Sequence, residues 1–233
     1  MTTVALIGPD GAGKSSTVRR VARDLRVPTT VVYMGINLEA STLMLPTTRL
    51  ALEVKRRRHG RPDMVGAVSS SDMRGAGGIR RQIRSGLRLG NWLAEEWFRQ
   101  LVAWFHQRRG RLVLFDRHFF CDYYAADIAG GRQGRRWTSR VHGAVLAMYP
   151  RPDLVVFLDA PAQVLHARKG EGTVESLERM RQDLLSVEHV VDRFVRVDAT
   201  QDADAVTRDV IAAIDALLAD GPAARRELRT RDA

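Results

Sequence analysis

A single cysteine, Cys121, leaves the chain without an internal disulfide framework and without a cysteine-rich metal site. No apolar run approaches the roughly 20 residues that a membrane-spanning helix needs. Met1-Thr-Thr leads into an apolar strand without the basic and apolar regions of a signal peptide, so the expected location is cytoplasmic. Zinc-finger spacing, an aromatic RNA-binding motif and a basic region followed by heptads are all missing, and no internal repeat is visible. Positive charge, by contrast, is in excess: 37 Lys and Arg stand against 27 Asp and Glu, a formal net charge of +10. The excess gathers at Lys55-Arg-Arg-Arg58, Arg61, the stretch from Arg74 to Arg88, and Arg225, Arg226, Arg229 and Arg231. Such charge attracts anions without naming one, and a solvated basic face accounts for it as well as a nucleic-acid partner does.

The 233 residues, 45% hydrophobic and 27% charged, suit one α/β domain. Short apolar runs alternate with helical patterns, the signature of a parallel sheet with helices on both faces. Five strands are expected near Thr3–Ile7, Thr29–Tyr33, Leu112–Phe115, Leu154–Leu158 and Phe194–Val197, each apolar enough to be buried on both faces. Helices are expected over Lys14–Leu25, Asn91–Arg108, Arg135–Ala147, Ala162–Lys169, Val174–His189 and Ala203–Leu218. Residues 35–90 are too long for an ordinary connection and read as an acceptor-side insert within a domain spanning 1–220; 221–233 read as a tail.

Four constellations carry chemistry. The first, Gly8-Pro-Asp-Gly-Ala-Gly13-Lys14-Ser15, fits GxxxxGK[ST] directly after the strand Val4-Ala-Leu-Ile7 and before a helix. This is a phosphate cradle: backbone N–H groups of Gly8, Asp10, Gly11, Ala12, Gly13 and Ser16 turn toward the anion. Lys14 reaches the β and γ phosphates, and the Ser15 hydroxyl reaches Mg²⁺. The second is Leu112-Val-Leu-Phe-Asp116-Arg117-His118, which delivers an acid and a base to a strand's carboxyl end. There Asp116 suits the Mg²⁺ shell or the attacking group, and Arg117 suits neutralisation of phosphate charge, with a strand-end salt bridge as the plain alternative.

The third runs from Pro152 to Pro161 and ends in Arg168-Lys169-Gly170-Glu171-Gly172. Two cations beside two glycines suit a mobile basic lid over 168–175, or simply a favoured helix C-terminus. Asp159 is open between a magnesium-shell acid and a structural cap. The fourth, Val197-Asp-Ala-Thr200-Gln201, places Thr200 near the base of a bound nucleotide or merely caps a helix.

In this order the four elements resemble the thymidylate kinase family of nucleoside monophosphate kinases, over about three quarters of the chain. The resemblance implies a three-layer P-loop kinase fold with ATP and Mg²⁺, and transfer of the γ phosphate from ATP to dTMP in the cytoplasm. It implies catalytic roles for Lys14, Asp116, Arg117 and Arg168, with Lys169 and Arg179 behind Arg168 as the lid cation. Metal roles fall to Ser15 and Asp116, and an acceptor-facing role to Asp10. Departures cluster on the acceptor side. Glu96, in Ala94-Glu95-Glu96-Trp97, stands where the family carries a phosphate-gripping arginine, with Arg99 one turn on to compensate. Cys121-Asp122-Tyr123-Tyr124 replaces the residues that hold thymine, so Asp122 and Tyr123 join the acceptor candidates. Carboxylates suit hydroxyl recognition better than phosphate capture, which keeps a sugar hydroxyl or modified nucleotide open as acceptor. A nucleotide-dependent nucleic-acid-binding protein is the third reading. The expected partner is a small molecule, with a homodimer as the candidate assembly.

Overall fold

The computed structural model describes residues 2–34, 78–125 and 149–220, without the side chains of 78–89, Trp92 and Tyr123. Most of the expected insert (35–77), the expected helix Arg135–Ala147 and the tail lie outside the described residues.

Five strands, β1 (Thr3–Ile7), β2 (Thr29–Tyr33), β3 (Leu112–Asp116), β4 (Leu154–Asp159) and β5 (Phe194–Asp198), form one sheet in the order β2-β3-β1-β4-β5. Every pairing is parallel. Alternation along β1 divides the core in two. Val4 and Leu6 pack on one face with Val18, Val21, Leu165, Val210 and Ile214, whereas Ala5 and Ile7 pack on the other with Ala103, Phe119, Tyr149 and Val187. Both faces are therefore helix-covered, which explains why the central strands read as continuous apolar runs. A side-chain clasp fastens the two central strands at their starts: Thr3 donates its N–H (2.8 Å) and Oγ1 (2.7 Å) to Asp153 Oδ2.

The helices are α1 (Lys14–Asp24), α2 (Gly78–Arg108), α3 (Phe119–Tyr123), α4 (Ala162–Lys169), α5 (Val174–Leu185) and α6 (Ala203–Ala219). Three differ from expectation. Helix α2 begins at Gly78 rather than Asn91, so the expected insert boundary at 90 falls inside it. In the sequence Ile79, Ile83 and Leu87 recur at helical spacing, and the helix carries Gly86 and Gly90 within it at a cost of about 1 kcal/mol each. Helix α5 stops at Leu185 and tightens into a 3₁₀ turn over Ser186–Val190 instead of running to His189. Short α3 was not expected.

From β1 the chain crosses to β2 on one side, and from β3 it crosses past β1 to β4 on the other. That reversal opens a crevice at the carboxyl ends of β1 and β3, where ligands bind in open α/β sheets.

Candidate active site

Two glycines of the loop after β1 serve packing and a third serves the cavity side. A Cβ on Gly8 would lie 2.7 Å from the Leu158 carbonyl oxygen, and one on Gly11 2.7 Å from that of Leu165, so the loop backbone lies directly on β4 and α4. Gly13 has φ 86 and nothing within 4 Å of its would-be Cβ, which leaves the concave side of the loop open. Helix α1 then starts at Lys14 with no side-chain cap and no acid in its first turn. Its first intrahelical bond is Thr17 N–H to the Gly13 carbonyl (3.0 Å), so the N–H groups of Lys14, Ser15 and Ser16 face the crevice without a helical acceptor. By contrast α6 is capped by Asp202 and α5 by a Thr173–Ser176 capping box.

Charged side chains from three segments meet above this loop. Lys14, buried, donates from Nζ to the Gly8 (2.8 Å) and Pro9 (2.7 Å) carbonyls. Burial, with Arg117 adding repulsion, brings its pKa down to about 8. Arg117 donates from Nη2 to Asp10 Oδ1 at 2.7 Å. Its φ of 68 is the one positive value on a non-glycine among the described residues, and its N–H donates to the Leu6 carbonyl (3.2 Å). Lys169 Nζ lies 4.0 Å from the same Asp10 oxygen and 2.6 Å from Glu171. Burial pushes the Asp10 carboxyl up, but Arg117, Lys14 and Lys169 overcome it and hold the group below its ordinary range. Asp122, half-buried on α3, is raised by burial against the pull of Arg117 and Lys14.

Asp116 ends β3 as a buried carboxylate whose Oδ1 has no hydrogen-bond partner among the described residues. An orphaned carboxylate oxygen and the exposed Ser15 suit a Mg²⁺ that takes its other ligands from phosphate and water. No group of three or more His, Cys, Asp or Glu able to hold a metal occurs among the described residues, so a cage made wholly of protein is not offered there.

Other candidates hydrogen-bond with groups outside this cluster. Arg168 points away, donating from Nη1 to the Ala199 carbonyl (2.8 Å), so its neighbour Lys169 is the cation of that pair beside the glycine loop. Thr200 closes a turn on Asp198 Oδ1 through its N–H (2.8 Å) and hydroxyl (2.6 Å). Asp159 is clamped by Arg181 (2.5 and 3.0 Å) and Arg196 (2.8 Å), a structural hub that sequence offered no means to foresee, since its partners are 22 and 37 residues away. On α2, Arg99 is fully buried and donates to Glu96 Oε1, Glu95 Oε1 and the Met34 carbonyl, each at 3.1 Å. Met34 N–H in turn donates to the Asp116 carbonyl (3.1 Å), which places this triad beside the end of β3. Burial lifts the Glu96 carboxyl to about 7, opposed by Arg99. The Tyr123 side chain lies outside the described residues. His118, for which the sequence supplies no role, is buried against Phe115, and burial drives its pKa down to about 3.

Across models of known protein families, the chain matches none.

Proposed function

We propose that the protein is a Mg²⁺-dependent phosphotransferase of the P-loop kinase type, moving the γ phosphate of ATP to a small-molecule acceptor. One observation carries this reading: an uncapped helix start and an open glycine loop lie beneath three converging cations, at the crevice where the sheet's connections reverse. Backbone N–H groups at the start of α1 would hold the phosphates by hydrogen bonds and by the helix dipole. Lys14 and Arg117 would neutralise the charge that spreads over the transferred group, which is most of what phosphoryl transfer asks of a protein. Ser15 and Asp116 would hold Mg²⁺, whose contribution when bound is to shield the phosphate oxygens from each other. The family resemblance makes dTMP the first acceptor to try, with dTDP as product.

A second reading, transfer to a hydroxyl acceptor, is favoured by the engagement of Arg99. Enclosed by Glu95, Glu96 and a carbonyl, that guanidinium is not available to a phosphate monoester. One assay separates the readings: ATP consumption with nucleoside monophosphates, nucleosides and sugars in parallel, for the wild type and Lys14→Ala. Acceptor-dependent turnover that vanishes in Lys14→Ala is expected. Turnover that survives the substitution would rule out the cradle.

A further inference from the structure

Three cations from three separate segments converge on one oxygen atom. Asp10 Oδ1 lies 2.7 Å from Arg117 Nη2 at the end of β3, 3.9 Å from Lys14 Nζ at the start of α1, and 4.0 Å from Lys169 Nζ at the end of α4. Only the first of these is a hydrogen bond. Lys14 directs its donors to the carbonyls of Gly8 and Pro9 instead, and Lys169 directs its own to Glu171. As placed, the carboxylate takes a hydrogen bond from only one of the three cations, and all three approach the same oxygen. A tetrahedral phosphoryl group, with three terminal oxygens, offers each of them a separate acceptor at hydrogen-bond distance. The site is also reachable, since Asp10 is 29%, Arg117 34% and Lys169 42% exposed.

We infer that Asp10 is an internal stand-in for the phosphoryl group, and that a polyphosphate must displace its carboxylate from Lys14, Arg117 and Lys169 in order to bind. The inference rests on the phosphotransferase reading and adds a restraint to it. In this arrangement the Asp10 carboxylate occupies the seat, and the third cation of the seat is Lys169, because Arg168 is held on the Ala199 carbonyl. Displacement leaves Asp10 unpaired beside the bound phosphates, so donor binding is what releases this carboxylate from its cations.

The probe is inorganic tripolyphosphate without metal, titrated calorimetrically into the full chain. Wild type, Asp10→Asn, Lys169→Met and the double variant are compared, each checked for an unchanged circular dichroism spectrum. Asp10→Asn is expected to bind at least about 10-fold more tightly, since a like charge about 4 Å from the seat is removed. Lys169→Met is expected to weaken binding several-fold more in the Asp10→Asn background than in the wild type, where Asp10 already offsets that lysine. Equal losses in the two backgrounds would mean a general field effect and would overturn the stand-in, as would binding by Asp10→Asn that is unchanged or weaker. Either result leaves the phosphotransferase reading intact provided the wild type binds. No binding by wild type or Asp10→Asn would sink both.

Discussion

The buried lysine beneath the glycine loop makes a prediction that needs no substrate. Lys14 titrates near pH 8 instead of its ordinary 10.5, chiefly because burial penalises the ammonium. That difference corresponds to about 3 kcal/mol against the charged form in the folded protein. Below pH 8 both folded and unfolded chains hold the proton, and the full cost applies. Between pH 8 and 10.5 the folded chain releases it first, the unfolded chain binds more protons, and stability rises with pH. Replacing Lys14 by Met keeps much of the stem and removes the titration. The variant's stability relative to the wild type should then fall by about 2 kcal/mol between pH 7 and about 9.5. Loss of the two hydrogen bonds to Gly8 and Pro9 adds an offset that does not vary with pH, because a neutral amine also donates. Urea unfolding of both proteins, ligand-free, at three pH values measures the difference directly. A stability difference that stays constant across the range would refute the account of Lys14 as a desolvated cation.

Two further outcomes follow from backbone and charge. Arg117 sits at φ 68, a conformation costing a side-chain-bearing residue about 1 kcal/mol or more. Arg117→Gly should therefore be more stable than Arg117→Ala by about 1 kcal/mol in thermal unfolding, while both lose at least about 10²-fold in turnover through loss of the guanidinium. Asp159→Asn should destabilise the fold by about 1–3 kcal/mol at neutral pH, by stripping partners from the partly buried Arg181. Turnover should stay within a few-fold, as measured by ATP consumption at saturating substrate; a large fall in rate with unchanged stability would instead make it a magnesium-shell acid. Although burial raises the Asp159 pKa, hydrogen bonds from Arg181 and Arg196 more than reverse this and leave it lowered. Its contribution is therefore complete above the unfolded carboxyl's pKa and fades as pH falls through the folded one, so the two proteins converge in acid.

Strand positions were legible because each strand is a short run, and the observed strands extend the expected ones by at most one residue. Burial on both faces holds for β1, β3 and β4, whereas β2 and β5, at the edges of the sheet, are only partly buried because each lacks a neighbour on one side. Legible too was the meeting of the glycine loop with Arg117, which requires only that β1 and β3 be neighbours with ligands at their carboxyl ends. The pairing of Arg99 with Glu96 follows from a three-residue helical spacing. Other features depend on information that a sequence does not carry locally. Arg168 and Lys169 are adjacent on a helix and so point about 100° apart, and which of them faces the loop is set by the packing of α4 on the Gly11 backbone. The start of α2 is not legible because Gly75, Gly77 and Gly78 carry a loop signal immediately before it, and the helical spacing of Ile79, Ile83 and Leu87 begins only after them.

Three acids at strand ends make the sheet's carboxyl edge more selective than its composition suggests. β3, β4 and β5 all terminate in aspartate, and Asp159 stands in register beside Asp198, a like-charged pair on adjacent strands. Arg181 and Arg196 quench the first of these, while the second is folded into a turn with Thr200. Asp116, one strand beyond β1 on the other side, keeps an oxygen without a partner among the described residues. An edge that would otherwise draw cations along its whole length thus concentrates that pull at one point, beside the glycine loop.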